Sequence, residues 1–165
     1  MKTISDSTIL IHLAKIGKIH YLKEIFDQII IPKEVYYEVM EKGKELEKNE
    51  IELIKNLIEN KFIIIKEVKN IIEITNLNKG EREALSLCKE LNINSLIIDE
   101  TEGFNVANIL NINPIRTTSI LIILLDKKII NFDEYKLCLK ELSETRYFLD
   151  AVTYDRLLEI GRNIG

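Results

Sequence analysis

The chain has 165 residues, 46% of them hydrophobic and 30% charged, with a formal net charge of −4. That balance suits a soluble globular domain with a sizeable core and excludes a general basic nucleic-acid coat. It does not exclude a nuclease, because an acidic metal cluster lowers the pI while basic residues line its rim.

Lys2 to Ser5 reads as a short first strand. Ser7 to Lys15 reads as a helix, with Leu10, Leu13 and Ala14 at helical spacing. The chain runs straight into these elements, so no signal peptide is expected and the cytoplasm is the expected compartment. Gly17 breaks the pattern, and Ile19 to Phe26 forms a second short helical stretch. Ile29 to Ile31 is a continuous apolar run, the mark of a buried strand. Pro32 fits the first turn of a helix that continues through Glu34 to Met40 and ends at Gly43. Leu46 to Ile58 is an amphipathic helix, and Phe62 to Ile65 a third strand.

Lys69 to Lys79 reads as a polar connection, followed by a helix from about Gly80 to Leu91. Ser95 to Ile98 is another buried strand, ending in Asp99 and Glu100. Helix returns over Gly103 to Leu110, a last strand over Asn113 to Arg116, and a helix capped by Thr117 and Thr118 runs to Leu125. Asp133 to Leu142 and Val152 to Ile160 are terminal helices. Strands alternating with helices predict an α/β fold, a three-layer α/β/α arrangement with a central, mainly parallel sheet. No repeat, linker or low-complexity tract interrupts it. One compact domain over 1–165 is expected, with about 145–165 as a helical appendage or a dimer arm.

The two cysteines, Cys88 and Cys138, lie far apart with no His or Cys neighbour at ligand spacing, which argues against a disulfide framework or a zinc knuckle. The longest aliphatic run, Ile120 to Leu125, falls far short of the roughly 20 residues that span a bilayer. No Ser/His/Asp or Cys/His grouping is readable, and no phosphate-binding glycine loop. His12 and His20 read as structural or solvated. Lys15, Lys18, Lys79 and Arg82 lie near the candidate site segments as cations for phosphate.

Chemistry is carried by acids. Asp6 sits where the first strand stops and a helix starts, the position that faces the ligand crevice of an open parallel sheet. Alone it reads as an ordinary helix N-cap. Asp99 has the same grammar: apolar strand, acid, polar turn, helix. Glu38 flanks the stripe centred on Val35 and Val39. On the Lys79 to Leu91 helix, Glu81 falls inside the apolar stripe of Ala84, Leu85 and Cys88, whereas Glu83 falls well away from it. Four converging carboxylates would repel one another. A hard divalent cation such as Mg²⁺ resolves that conflict with oxygen ligands, lowers the pKa of a water and clamps a phosphodiester.

Four blocks in order resemble the PIN-domain family, in its VapC-like, stand-alone prokaryotic branch. Asp6 to Gly17 is similar to an opening acid followed by LIxLAKxG; Ile31 to Val39 to VPxxVxxE; Gly80 to Leu85 to GExEAI; Leu96 to Glu100 to LLxDD. Ile9 stands where relatives often have Pro, Glu100 replaces a second Asp, Phe104 falls about where an Arg is common, and Thr117 replaces the Gly of a GT turn whose Thr is kept as Thr118. The resemblance implies a compact α/β/α fold and a Mg²⁺- or Mn²⁺-dependent endoribonuclease. It places the catalytic and metal-ligating roles on Asp6, Glu38, Glu81 and Asp99. From the residues themselves, Ser7 is expected either to orient Asp6 or a metal-bound water or to cap its helix, and Thr118 either to steady the site or to cap its helix. The resemblance further implies an RNA substrate, a small antitoxin partner if the protein is a toxin, and a homodimer. Two rival readings stand beside it. One is a non-catalytic RNA- or protein-binding module that kept the fold. The other is an aspartate-nucleophile phosphatase, ranked last because Thr8 stands where a second Asp is wanted.

Overall fold

The computed structural model describes residues 1–42 and 47–165. Its centre is β1 (Lys2–Ser5), whose Thr3, Ile4 and Ser5 are buried. β1 pairs with β2 (Gln28–Pro32) on one side and β4 (Ser95–Ile97) on the other. β3 (Ile63–Lys66) and β5 (Asn113–Ile115) form the edges. The order is β3-β2-β1-β4-β5, and every pairing is parallel. Parallel neighbours need long crossovers, which is why each strand is followed by helix.

The helices are α1 (Ser7–Lys15), α2 (Lys33–Lys42), α3 (Lys48–Glu59), α4 (Lys79–Leu91), α5 (Thr101–Ile109), α6 (Thr117–Asp126), α7 (Phe132–Glu144) and α8 (Ala151–Ile164). They cover both faces of the sheet, giving the expected three-layer α/β/α architecture. Successive strand residues point to opposite faces, so the Ile29 to Ile31 run feeds two cores. Ile29 and Ile31 pack with α1, α3 and α6 to α8. Ile30 packs with Ile4, Leu96, Ala84, Leu85 and Cys88 under α4 and α5. Burial on both faces explains why the run is apolar throughout.

Three local expectations shift. Ile19–Glu24 is a 3₁₀ helix rather than a longer helical stretch. Pro32 is the last residue of β2, paired with Lys66, and α2 starts one residue later. Glu83 is buried, because α2 packs on that side of α4 and the Glu34 N–H lies 3.4 Å from its carboxylate. The expected stop at Gly43 and helix start at Leu46 lie outside the described residues.

The last helix packs on the body of the protein. Leu157 of α8 joins the core, its carbonyl accepts the Tyr135 hydroxyl at 3.0 Å, and Gly161 lies against the Tyr135 ring. Among the described residues, no helix is long and apolar enough to cross a membrane.

Candidate metal centre

The chain builds β1, β2 and β3 outward on one side of the sheet, then crosses to β4 on the other side of β1. Strand order therefore reverses at β1 and β4, and the crevice beyond their carboxyl ends is where an open α/β sheet binds ligands. Asp6 follows β1 and Asp99 follows the β4 segment. The Asp6 N–H donates to the Ile97 carbonyl at 3.1 Å, which ties the two strand ends together.

Asp6 caps α1. Its Oδ1 accepts the Ile9 N–H, a long bond of 3.4 Å. The residue is only 4% exposed. Burial is the largest influence holding its carboxyl well above the usual carboxylate range. The charge of Asp99 comes next, Glu81 and Glu38 add to it, and the Ile9 N–H pulls the other way. The largest side-chain charges acting on Asp6 are thus anions, an arrangement that favours a proton or a cation.

Asp99 is held from two directions. Its Oδ1 accepts the Thr117 N–H at 2.9 Å and the Tyr147 hydroxyl at 2.8 Å, and its Oδ2 accepts the Thr117 hydroxyl at 2.6 Å. The threonine that meets this carboxylate is Thr117, at the start of α6. Thr118 lies beside the Tyr147 hydroxyl instead.

Glu38 and Glu81 come from facing helices. Ser7 supports Glu38 rather than Asp6: its hydroxyl donates to Glu38 Oε2 at 2.6 Å. The Glu38 carboxylate lies over Gly80 in the first turn of α4, where an added Cβ would stand 2.5 Å from Oε1. A glycine there gives the carboxylate its place at the positive end of the helix. Glu81 completes a capping box: its Oε2 accepts the Asn78 N–H at 3.1 Å, and its own N–H donates to Asn78 Oδ1 at 2.8 Å. Its carboxyl is also raised, by burial first and then by Glu100, Glu38 and Glu102 against the pull of the Asn78 N–H.

Asp6, Ser7, Glu38, Glu81 and Glu100 line one cleft of about 290 Å³, with Lys42 at its edge. Asp99 lines an adjoining pocket of about 260 Å³, joined to the first through Thr8 and Glu100. Three of the four expected acids thus share a cleft, and the fourth stands next door as the strongest charge felt by Asp6. Among the described residues, no three His, Cys, Asp or Glu side chains are gathered closely enough to hold one ion as they stand.

A family model described as a PIN domain (DUF3368) matches residues 2–162. The chain belongs to the PIN-domain family. A PilT N-terminus domain protein from the hyperthermophilic archaeon Sulfolobus solfataricus has a similar structure, with a TM-score of 0.51 and 17% identity over 73% of this chain and 90% of that one. At that identity the likeness speaks for the fold alone. No curated protein is significantly similar in sequence. PIN domains are in general nucleases that use divalent metals.

The donor set of this PIN domain fits such an ion. The cleft offers hard carboxylate oxygens, the choice of Mg²⁺ and Mn²⁺. Mg²⁺ is usually held by only one or two carboxylates plus water and substrate phosphate, so a spread set of acids meets its needs. Of the lysines and arginines expected near phosphate, Lys18, Lys79 and Arg82 pair with Glu134, Glu34 and Glu73. Arg116, Arg146 and Tyr147 line the Asp99 pocket instead, and none was marked by local pattern. The one available signal was the displaced cation: with Phe104 in α5, Arg116 sits 4.4 Å over that ring.

Proposed function

We propose that this PIN domain is a Mg²⁺- or Mn²⁺-dependent endoribonuclease that hydrolyses RNA phosphodiester bonds. The observation that carries the reading is Asp6: a buried carboxylate at the switch point of the sheet, whose largest side-chain charge influences are three other acids. Burying such a charge without a partner is costly. Asp6, Glu38, Glu81 and Asp99 would hold the ion or ions. When bound, the ion offsets their charge, lowers the pKa of a water and polarises the phosphodiester for in-line attack.

The chain's own residues supply position. Ser7 and Gly80 set the Glu38 carboxylate. Thr117 and Tyr147 fix Asp99, and the Asp6–Ile97 hydrogen bond holds the strand ends that present both aspartates.

The experiment is RNA cleavage by the full chain with EDTA, Mg²⁺ or Mn²⁺, beside the Asp6→Asn/Asp99→Asn double variant. Cleavage that needs the metal and is lost in the double variant supports the reading. A double variant that cuts as fast as the parent shows that the site is elsewhere, and RNA binding without metal-dependent cleavage favours a binding module.

A further inference from the structure

Beside the acidic cleft lies a pocket of different chemistry. Its lining includes the acids Asp99 and Glu100 together with Arg116, Arg146, Tyr147 and Phe148. Tyr147 anchors the connection between α7 and α8: its ring packs edge-on against His12, 5.3 Å between centroids, and its hydroxyl reaches Asp99. The residues on either side of that anchor are exposed. Phe148 is 89% exposed. Arg146 is exposed too, with φ +66, a left-handed conformation that arginine rarely adopts. The Arg116 guanidinium is steadied by the Phe104 ring and by a hydrogen bond to the Asp99 carbonyl. Among the described residues, neither Arg116 nor Arg146 forms an ion pair.

The geometry points to a nucleotide subsite for the substrate strand, one that rests on the nuclease reading and deepens it. A phosphodiester chain leaving the acidic cleft past Thr8 and Glu100 enters this pocket, where Arg116 and Arg146 meet the next phosphate. Phe148 offers its uncovered ring to the adjoining base. Guanidinium groups suit phosphate oxygens, and an exposed aromatic beside a cationic groove is a stacking platform for unpaired bases. A duplex keeps its base faces inside the helix and cannot use such a ring. The occupant is therefore an unpaired nucleotide adjacent to the scissile bond.

The test is binding of a labelled single-stranded oligoadenylate, and of its duplex with oligouridylate, to the full chain in EDTA over a series of salt concentrations. Phe148→Ala removes a side chain with almost no packing, so its fold should be intact. Arg146→Gly removes the cation while suiting the left-handed backbone. Phe148→Ala should weaken binding of the single strand by about fivefold or more, the lower end of base–aromatic stacking. Arg146→Gly should lower the slope of log K against log salt by roughly 0.7. The duplex should bind more weakly and ignore Phe148→Ala. A variant that binds the single strand as tightly as the parent, or a parent that prefers the duplex or binds neither, overturns the subsite. A parent that shows these sensitivities yet cuts no RNA keeps the subsite and removes the nuclease reading. A parent that cuts RNA while both variants bind normally does the reverse.

Discussion

Tyr147 donates its hydroxyl to Asp99 Oδ1 across 2.8 Å, joining the connection before the last helix to the end of the β4 segment. Phenylalanine at position 147 would keep the ring against His12 and delete this bond together with the hydroxyl's contact to Thr118. A hydrogen bond to a charged group is worth about 1.5–3 kcal/mol, so Tyr147→Phe should lower stability in urea by an amount of that order. Mn²⁺ affinity should fall roughly 10–100-fold, the usual cost of losing a partner that orients a ligand. If the variant equals its parent in both, Thr117 alone sets the Asp99 carboxylate.

Gly80 tests the placement of Glu38. Its first-turn position in α4 tolerates alanine, which gains up to about 1 kcal/mol of helix propensity over glycine. The new Cβ would nonetheless stand 2.5 Å from Glu38 Oε1 and displace that carboxylate. Gly80→Ala should therefore hold its melting temperature while losing about tenfold in divalent affinity by calorimetry. Loss of both together would indicate a general packing defect instead.

The parts of the site set by local rules were readable in the sequence. Asp6 stands at a strand-to-helix junction marked by buried Ile4 and by α1 periodicity, and Glu81 was separated from Glu83 by helical phase alone. Phase could not show that α2 would bury Glu83 as well, since that depends on which helix packs alongside. The Thr117–Thr118 pair illustrates a one-residue ambiguity: both suit a helix start, and only the path of the chain after β5 brings Thr117 to Asp99. Tyr147 is 48 residues from Asp99 in sequence. It lies in a connection without periodicity, so nothing in its neighbours announces where it lands. Lys18 and Lys79 looked available for phosphate because their partners, Glu134 and Glu34, lie 116 and 45 residues away in sequence and sit in ordinary helix patterns.

The two cysteines should be inert in the folded protein. Burial pushes the Cys88 thiol up to about 12 and the Cys138 thiol up to about 11. At pH 8 neither holds an appreciable thiolate population, and both side chains are buried. Iodoacetamide should label neither in native buffer and both in urea, read by intact mass. Because these pKa values are raised on folding, the thiols' contribution to stability is complete below the unfolded value near 8.5. It is lost as the pH rises toward 11 and 12. Rapid native labelling would show that the faces holding them open easily.

Asp6→Asn should separate stability from activity. Asparagine keeps an oxygen to accept the Ile9 N–H, so the cap on α1 survives. It removes a charge that burial and three neighbouring acids disfavour. Asp6 binds its proton more tightly folded than unfolded. Its contribution to stability is therefore fully present below the unfolded value near 3.9 and lost as the pH rises through the higher folded pKa. In EDTA, the parent should fall behind Asp6→Asn as the pH climbs from about 4 toward neutrality, measured by urea denaturation at each pH. The gap should vanish at the acidic end, where the parent's carboxyl is protonated. Glu81 is shifted in the same direction and leaves a smaller slope of the same sign in the variant. Saturating Mg²⁺ should stabilise the parent by mass action and narrow or reverse the order. Cleavage by the variant should drop by more than the roughly 10–100-fold that an orienting partner costs. Parallel pH profiles for parent and variant in EDTA would show that the acids around Asp6 exert no strain on it, and the case for a cation at this cleft would fall with that result.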